Sequence, residues 1–282
     1  MHTPSRALAA CSWSFQTSDA DQLIRHTRDA GLSALQLHLD PFAHLEDPST
    51  LLDRFHRADI ALISGMMTPI GEDYTTIDSI QRTGGLRPTK HWPANRDAAE
   101  RNADLAAALG LDLVTLHAGF IPESPDDPER AIFLDRLTTV ADIFTDRNIR
   151  LGLETGQESA ETLDAVLTEL NHPSIGVNFD PANMLLYNAG DPTDALEQLG
   201  PRVLQVHFKD AHPSGNPDTW GTEVPLGEGS VDWPCFFDLL ERKCPSVAAV
   251  IEREAGENRV ADIRHAADFA RRYIAVDEPD KI

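Results

Sequence analysis

The sequence predicts a single (β/α)8 barrel spanning residues 1–282. Three observations carry this reading. Short apolar runs alternate with helical patterns from end to end, eight of each. The length of 282 residues is close to the ~250 typical of such barrels. The loops after several strands are longer than those before them. A doubly wound sheet is the main rival, but it would place a glycine-rich phosphate loop after its first strand. Here the first strand runs into Cys11-Ser-Trp-Ser-Phe15 instead.

Each element has its own signal. Ala7–Cys11 is a small apolar run. Asp19–Ala30 reads as a helix, with Asp19 as N-cap and Gly31 closing it. Ala34–Leu39 is the second strand, Pro48–Ala58 a helix and Ile60–Gly65 the third strand. An irregular stretch, roughly Thr68–Pro93, is rich in Gly, Thr and Pro and carries Arg82, Arg87, Lys90, His91 and Trp92. It reads as a lid or an oligomer contact. Ala94–Leu109 is a strong helix closed by Gly110, and Leu113–His117 is the fourth strand. Pro128–Asp146 places Phe144 and five aliphatic residues at helical spacing. The remaining strands are Ile149–Glu154, Ile175–Asp180, Val203–His207 and Val247–Glu252. They alternate with helices Ala160–Leu170, Thr193–Leu199, Trp233–Arg242 and Val260–Tyr273. A loop rich in Gly, Pro and Asp covers Ala211–Ser230.

Composition narrows the function. The net charge is −22, from 24 basic and 46 acidic residues. Nucleic-acid affinity rests on Lys and Arg neutralising phosphates, so no nucleic-acid partner is expected. An anionic membrane surface is disfavoured for the same reason, and no apolar run approaches the ~20 residues of a span. The three cysteines, Cys11, Cys235 and Cys244, show no CxxC spacing. The start Met1-His-Thr-Pro-Ser-Arg does not read as a signal peptide. The expectation is a soluble cytoplasmic protein, with homo-oligomers compatible.

Active sites of (β/α)8 barrels form at the C-terminal ends of the strands. The first four strands deliver Cys11 and Trp13, His38 and Asp40, Met66 and Thr68, and His117. The last four end in Glu154, Asp180, His207 and Glu252, followed closely by Asn183, Lys209, Asp210 and His212. Any one acid could be a helix cap or a solvated loop residue, though Glu is a poor N-cap. Four metal-competent residues on four successive strand ends form a divalent-metal constellation. Three carboxylates and one imidazole do not suit structural zinc. They suit a harder ion with octahedral preference, manganese first, with magnesium, cobalt or zinc as alternatives. Four ligands leave about two positions open, which matches chelation by two adjacent substrate oxygens. Glu154 and Glu252 could then exchange a carbon-bound proton beside the carbonyl, through an enediolate.

At these residues the chain resembles the sugar phosphate isomerase/epimerase superfamily, the xylose-isomerase-like TIM barrels. That group includes ketose 3-epimerases, hydroxypyruvate isomerase, inosose dehydratase and the endonuclease IV branch. The resemblance covers nearly the whole chain. It rests on Gly152-Leu-Glu154, Asn178-Phe-Asp-Pro-Ala-Asn183, Val206-His-Phe-Lys-Asp210, Pro225-Leu-Gly-Glu-Gly-Ser-Val-Asp-Trp233 and Ile251-Glu252, in that order. It implies Glu154, Asp180, His207 and Glu252 as metal ligands, with Glu154 and Glu252 doubling as the acid/base pair. Lys209 is a candidate for polarising a substrate oxygen, against a salt bridge to Asp210 or another nearby carboxylate. Trp13, His38, His117 and Asn183 are expected to face the substrate.

The chain departs from the ketose 3-epimerase pattern at two places. Asn183 stands where those enzymes commonly carry His, and Pro213 where they carry Arg. The function expected is a metal-dependent sugar isomerase or epimerase on a sugar or polyol-derived substrate. No compact phosphate cradle stands out, which favours a non-phosphorylated one. The alternatives are a metal-dependent lyase or dehydratase on keto-sugars or inososes, and a non-catalytic carbohydrate-binding barrel.

Overall fold

The computed structural model describes residues 6–276 apart from 125 and 217. Eight parallel strands close into a barrel: β1 (Leu8–Cys11), β2 (Ala34–His38), β3 (Ala61–Met66), β4 (Leu113–Leu116), β5 (Arg150–Glu154), β6 (Ile175–Phe179), β7 (Val203–Phe208) and β10 (Ala248–Ile251). The ring closes where β1 pairs with β10, Ala9 opposite Val250. Between them run helices α1 (Ala20–Asp29), α2 (Ser49–Arg57), α4 (Trp92–Ala108), α5 (Pro128–Thr145), α6 (Ala160–Leu170), α8 (Pro192–Leu199) and α9 (Trp233–Lys243), and α10 (Arg259–Ala270) follows β10. The strands are short and almost wholly buried, as a parallel sheet covered by helices requires.

Local chemistry sets the helix starts. Asp19 caps α1 by accepting from the Gln22 N–H, and Ser159 caps α6 through Thr162. Asp191 precedes Pro192, placing proline in the first turn of α8, where its missing N–H costs nothing. An aromatic group fills the space between β7, α9 and α10. It comprises Phe208, Trp233, Phe236, Phe237, Phe269 and Tyr273, with Phe237 and Tyr273 stacked at 4.7 Å. Burying each fully enclosed ring contributes about 2–3 kcal/mol.

The chain holds more order than the sequence suggests at three places. The stretch expected to be irregular contains α3 (Ile77–Thr83), started by a capping box between Thr76 and Ser79. Ser replaces the usual Glu or Gln of that box, which hid it. A short helix α7 (Pro181–Leu186) follows β6 at once. The expected loop Ala211–Ser230 contains an antiparallel hairpin, β8 (Asp210–His212) with β9 (Thr222–Val224). Among the described residues no helix is long and apolar enough to cross a membrane.

Candidate active site

Side chains two apart on a strand share a face, and here the inward faces build two layers. The upper layer is the predicted quartet. One ligand atom from each of Glu154, Asp180, His207 and Glu252 lies within 4.8 Å of all the others, and all four residues are buried. Asp180 is divided between two tasks. Its Oδ1 caps α7, accepting from the Ala182 N–H at 2.7 Å and the Asn183 N–H at 3.0 Å. Its Oδ2 is buried without a hydrogen-bond partner, and so is His207 Nδ1. His207 Nδ1 stands 3.4 Å from Glu154 Oε1, 3.5 Å from Glu252 Oε2 and 3.9 Å from Asp180 Oδ2.

Buried polar atoms are normally satisfied, and leaving one bare costs about 1–3 kcal/mol. Two bare atoms aimed between carboxylates fit a cation at the centre. Three carboxylate oxygens and one imidazole nitrogen are the donor set of a borderline-to-hard divalent ion. These four residues could hold one.

The glutamates are held in place by donors on both oxygens. Glu252 accepts from Trp13 Nε1 at 2.6 Å and from Lys209 Nζ at 2.9 Å. Glu154 accepts from Asn183 Nδ2 at 3.0 Å and Asn178 Nδ2 at 3.3 Å, with His117 Nε2 at 3.6 Å. Burial works against ionising Glu252, but Lys209 and His207 overcome it and hold the acid well below the usual range. For Glu154 burial is likewise outweighed, by His117 and His207. Asp180 is pushed well above its usual range by burial, with Glu252 and Glu154 adding to the push and Lys209 opposing it.

Above the quartet opens a cavity of about 600 Å³. Of the four, Glu252 lines it, and the other three lie behind lining residues His117, Asn183 and Glu252. Trp13 and His38 also line it, so four of the five expected substrate-facing residues reach the cavity. His38 Nε2 lies 3.1 Å from Asp40 Oδ2. Lys209 is the exception. Its Nζ is buried and donates to Glu252, to Glu254 at 2.5 Å and to Asn183 Oδ1 at 3.2 Å.

Asp210 does not pair with Lys209. It accepts instead from the N–H groups of Ala211, Gly227, Gly229 and Val231 and from Trp233 Nε1. This pins the Pro225–Gly229 loop against the strand end. A Cβ on Gly229 would stand 2.0 Å from Asp210 Oδ1, so only glycine fits. Gly156 plays a similar part after β5: its φ is +130°, and a Cβ there would lie 2.4 Å from the Asn183 Cβ.

Sequence reasoning missed Glu72, Tyr74, Tyr187, Trp220, Glu223 and Glu254 in the cavity wall. Glu223 sits on the short β9, and the others lie off the strands, where no periodicity marks them. Thr68, Pro69, Glu72 and Tyr74 make the segment after β3 a wall of the cavity. Also missed was Glu158, a half-buried residue whose carboxyl is pushed up to about 8 by desolvation. A raised folded value means a stability contribution present below the unfolded pKa of about 4.5 and lost as pH climbs to about 8. Glu158→Gln is therefore expected to leave the melting temperature near pH 4 unchanged and to raise it progressively between pH 5 and 8. Thermal melts across that range check it.

Residues 24–273 match the sequence profile of the Xylose isomerase-like TIM barrel family. The chain belongs to the xylose isomerase-like TIM barrels. Within that family, the solved structure of a xylose isomerase domain protein from Planctomyces limnophilus superposes with a TM-score of 0.85. It is 26% identical, over 96% of this chain and 98% of that one. The D-allulose 3-epimerase of a Methylomonas species, solved with D-allulose, shares the fold at a TM-score of 0.72 and 16% identity, over 97% and 99% of the two chains. A 3-dehydroshikimate dehydratase from Bacillus anthracis is 29% identical over 85 residues. That stretch spans 29% of this chain and only 30% of the dehydratase.

Proposed function

We propose that this barrel is a divalent-metal-dependent isomerase or epimerase of a small sugar or polyol-derived substrate. Glu154, Asp180, His207 and Glu252 would hold the ion, with manganese, magnesium or cobalt suiting the donors. The observation that carries the reading is the pair of bare atoms, Asp180 Oδ2 and His207 Nδ1, set between two glutamates at the base of the cavity. When bound, the ion supplies positive charge at the carbonyl oxygen of the substrate.

The rest of the chemistry belongs to the chain. Glu252, kept ionised by Lys209, takes the proton from the carbon next to the carbonyl. Glu154 stands across the cluster and returns a proton. Return to the opposite face of the same carbon gives an epimer, and return to the neighbouring carbon gives the aldose–ketose isomer. The donors on each carboxylate fix its direction before substrate arrives, which is the pre-organisation such a transfer needs. Trp13, His38, His117 and Asn183 would contact substrate hydroxyls or its apolar face. Lys209 would act through Glu252, because its donors are already taken.

The partial match to a 3-dehydroshikimate dehydratase favours a second reading, a lyase or dehydratase. The same glutamate would remove the proton, and a hydroxyl on the next carbon would leave as water. Product mass separates the two, unchanged for isomerisation and lower by one water for dehydration.

Chelation is expected to abolish turnover, and manganese, cobalt or magnesium to restore it. In deuterated water one solvent deuteron should enter the carbon beside the carbonyl. A metal-loaded protein giving no exchange on a broad panel of ketoses, aldoses and inososes would overturn the reading.

A further inference from the structure

Beneath the quartet lies the second inward layer: Gln36 on β2, Ser64 on β3, Thr115 on β4, Asn178 on β6 and Gln205 on β7, each 0% exposed. Barrel interiors are usually filled by branched apolar side chains. A layer of amides and hydroxyls in their place is costly unless every member is paired. Here the acceptor-only partners give the pairing a direction.

Gln36 Nε2 lies 3.2 Å from the Gly65 carbonyl oxygen, which can only accept. The NH2 end of the amide therefore faces Gly65, with Thr115 Oγ1 at 2.8 Å on the same side. The other end, Oε1, must then face His207, and it lies 2.8 Å from His207 Nε2. An amide oxygen can only accept, so His207 Nε2 carries a proton. Asn178 is oriented by the same logic, since its Nδ2 reaches the acceptor-only Glu154 carboxylate at 3.3 Å and its Oδ1 accepts from Gln205 Nε2 at 3.1 Å. Asn178 Nδ2 and Gln205 Nε2 lie 3.1 and 3.5 Å from His207 Nε2, but both are donor groups and cannot accept its proton, and the 2.8 Å contact to Gln36 Oε1 is the shortest there. Gln36 Oε1 is the oxygen acceptor at hydrogen-bond distance for it, and the other acceptor in range, Cys11 Sγ at 3.8 Å, is a weak one.

From this chain of acceptors we infer that Gln36 is a positioning residue, which makes His207 a metal ligand through Nδ1 by holding the proton on Nε2. The inference rests on the metal-site reading above. Without the Gln36 acceptor, the neutral imidazole is drawn to the opposite tautomer, because Nδ1–H would face Glu154, Glu252 and Asp180. That tautomer puts a hydrogen where the ion must bind. Gln36 thus opposes the pull of the three carboxylates on the ring proton.

The test compares Gln36→Met, which removes the acceptor at similar volume, with Gln36→Glu, which keeps one. Two readouts are needed on folded protein. Calorimetric titration with cobalt(II) or manganese(II) gives affinity, and nitrogen-15 NMR of the His207 ring in the metal-free protein, at a pH where the ring is neutral, gives the tautomer. Loss of an outer partner to a ligating His typically lowers metal affinity about 10- to 100-fold. Gln36→Met is expected to show that loss together with an Nδ1–H or mixed tautomer. Gln36→Glu is expected to stay within a few-fold of wild type and keep Nε2–H. An Nε2–H tautomer persisting in Gln36→Met, or wild-type affinity in that variant, would overturn the inference. A wild-type protein that binds no metal but shows the expected tautomer change would instead refute the metal site and leave the role of Gln36 on the ring proton standing.

Discussion

Glu252→Gln is expected to lower turnover by about 10²–10⁴-fold, the usual contribution of a positioned general base. The carboxamide is nearly isosteric and can still accept from Trp13 Nε1 or from Lys209 Nζ through its one oxygen. Its NH2 end would then face the donor that the lost oxygen served. What disappears is the proton acceptor and one anionic donor to the ion. The fold should survive, because Ile251 and the rest of β10 stay packed against β1 and β7. The measurement is turnover on any accepted substrate, with washout of a deuterium placed beside the carbonyl. Turnover within several-fold of wild type would remove Glu252 from the proton transfer.

Asp210→Ala is expected to cost about 4 kcal/mol of stability, among the largest effects available outside the aromatic core. One buried carboxylate takes five N–H donors from residues 211–233, and alanine would leave buried donors bare. Each hydrogen bond to a charged group contributes about 1.5–3 kcal/mol, but they share one acceptor and do not add. Asp210→Asn keeps one acceptor oxygen and should lose clearly less. Urea unfolding of both variants decides the matter, and a loss below about 1 kcal/mol in Asp210→Ala would show that water replaces the carboxylate.

The barrel and the quartet were legible in the sequence for one physical reason. Parallel strands covered on both faces are continuous apolar runs, so a charged residue closing such a run stands out. Glu154, Asp180, His207 and Glu252 each do so. Asp180 shows the limit of that signal, because the cap and the bare oxygen belong to the same side chain, and a sequence cannot divide them. The layer below was legible in principle. Gln36, Asn178 and Gln205 each precede a strand-end residue by two and must share its inward face. They were passed over because each is a single amide inside an apolar run. Glu72, Tyr187, Trp220 and Glu254 had no such signal, since their approach to the cavity depends on loop paths. The partners of Lys209 and Asp210 were unreadable for the same reason. Two neighbours in the chain point to different sides of the strand end, one to the glutamates and one to the glycine loop.

On the proposed function, the four strand-end residues hold one divalent ion. Asp180→Asn tests it cleanly. Asparagine caps a helix as well as aspartate, so α7 and the fold are retained while the anionic Oδ2 is lost. Metal content after equilibrium dialysis against manganese should be one ion per wild-type chain and a small fraction of that in Asp180→Asn at the same free concentration. Equal loading of the two proteins, or no loading of the wild type at millimolar manganese, would contradict the account.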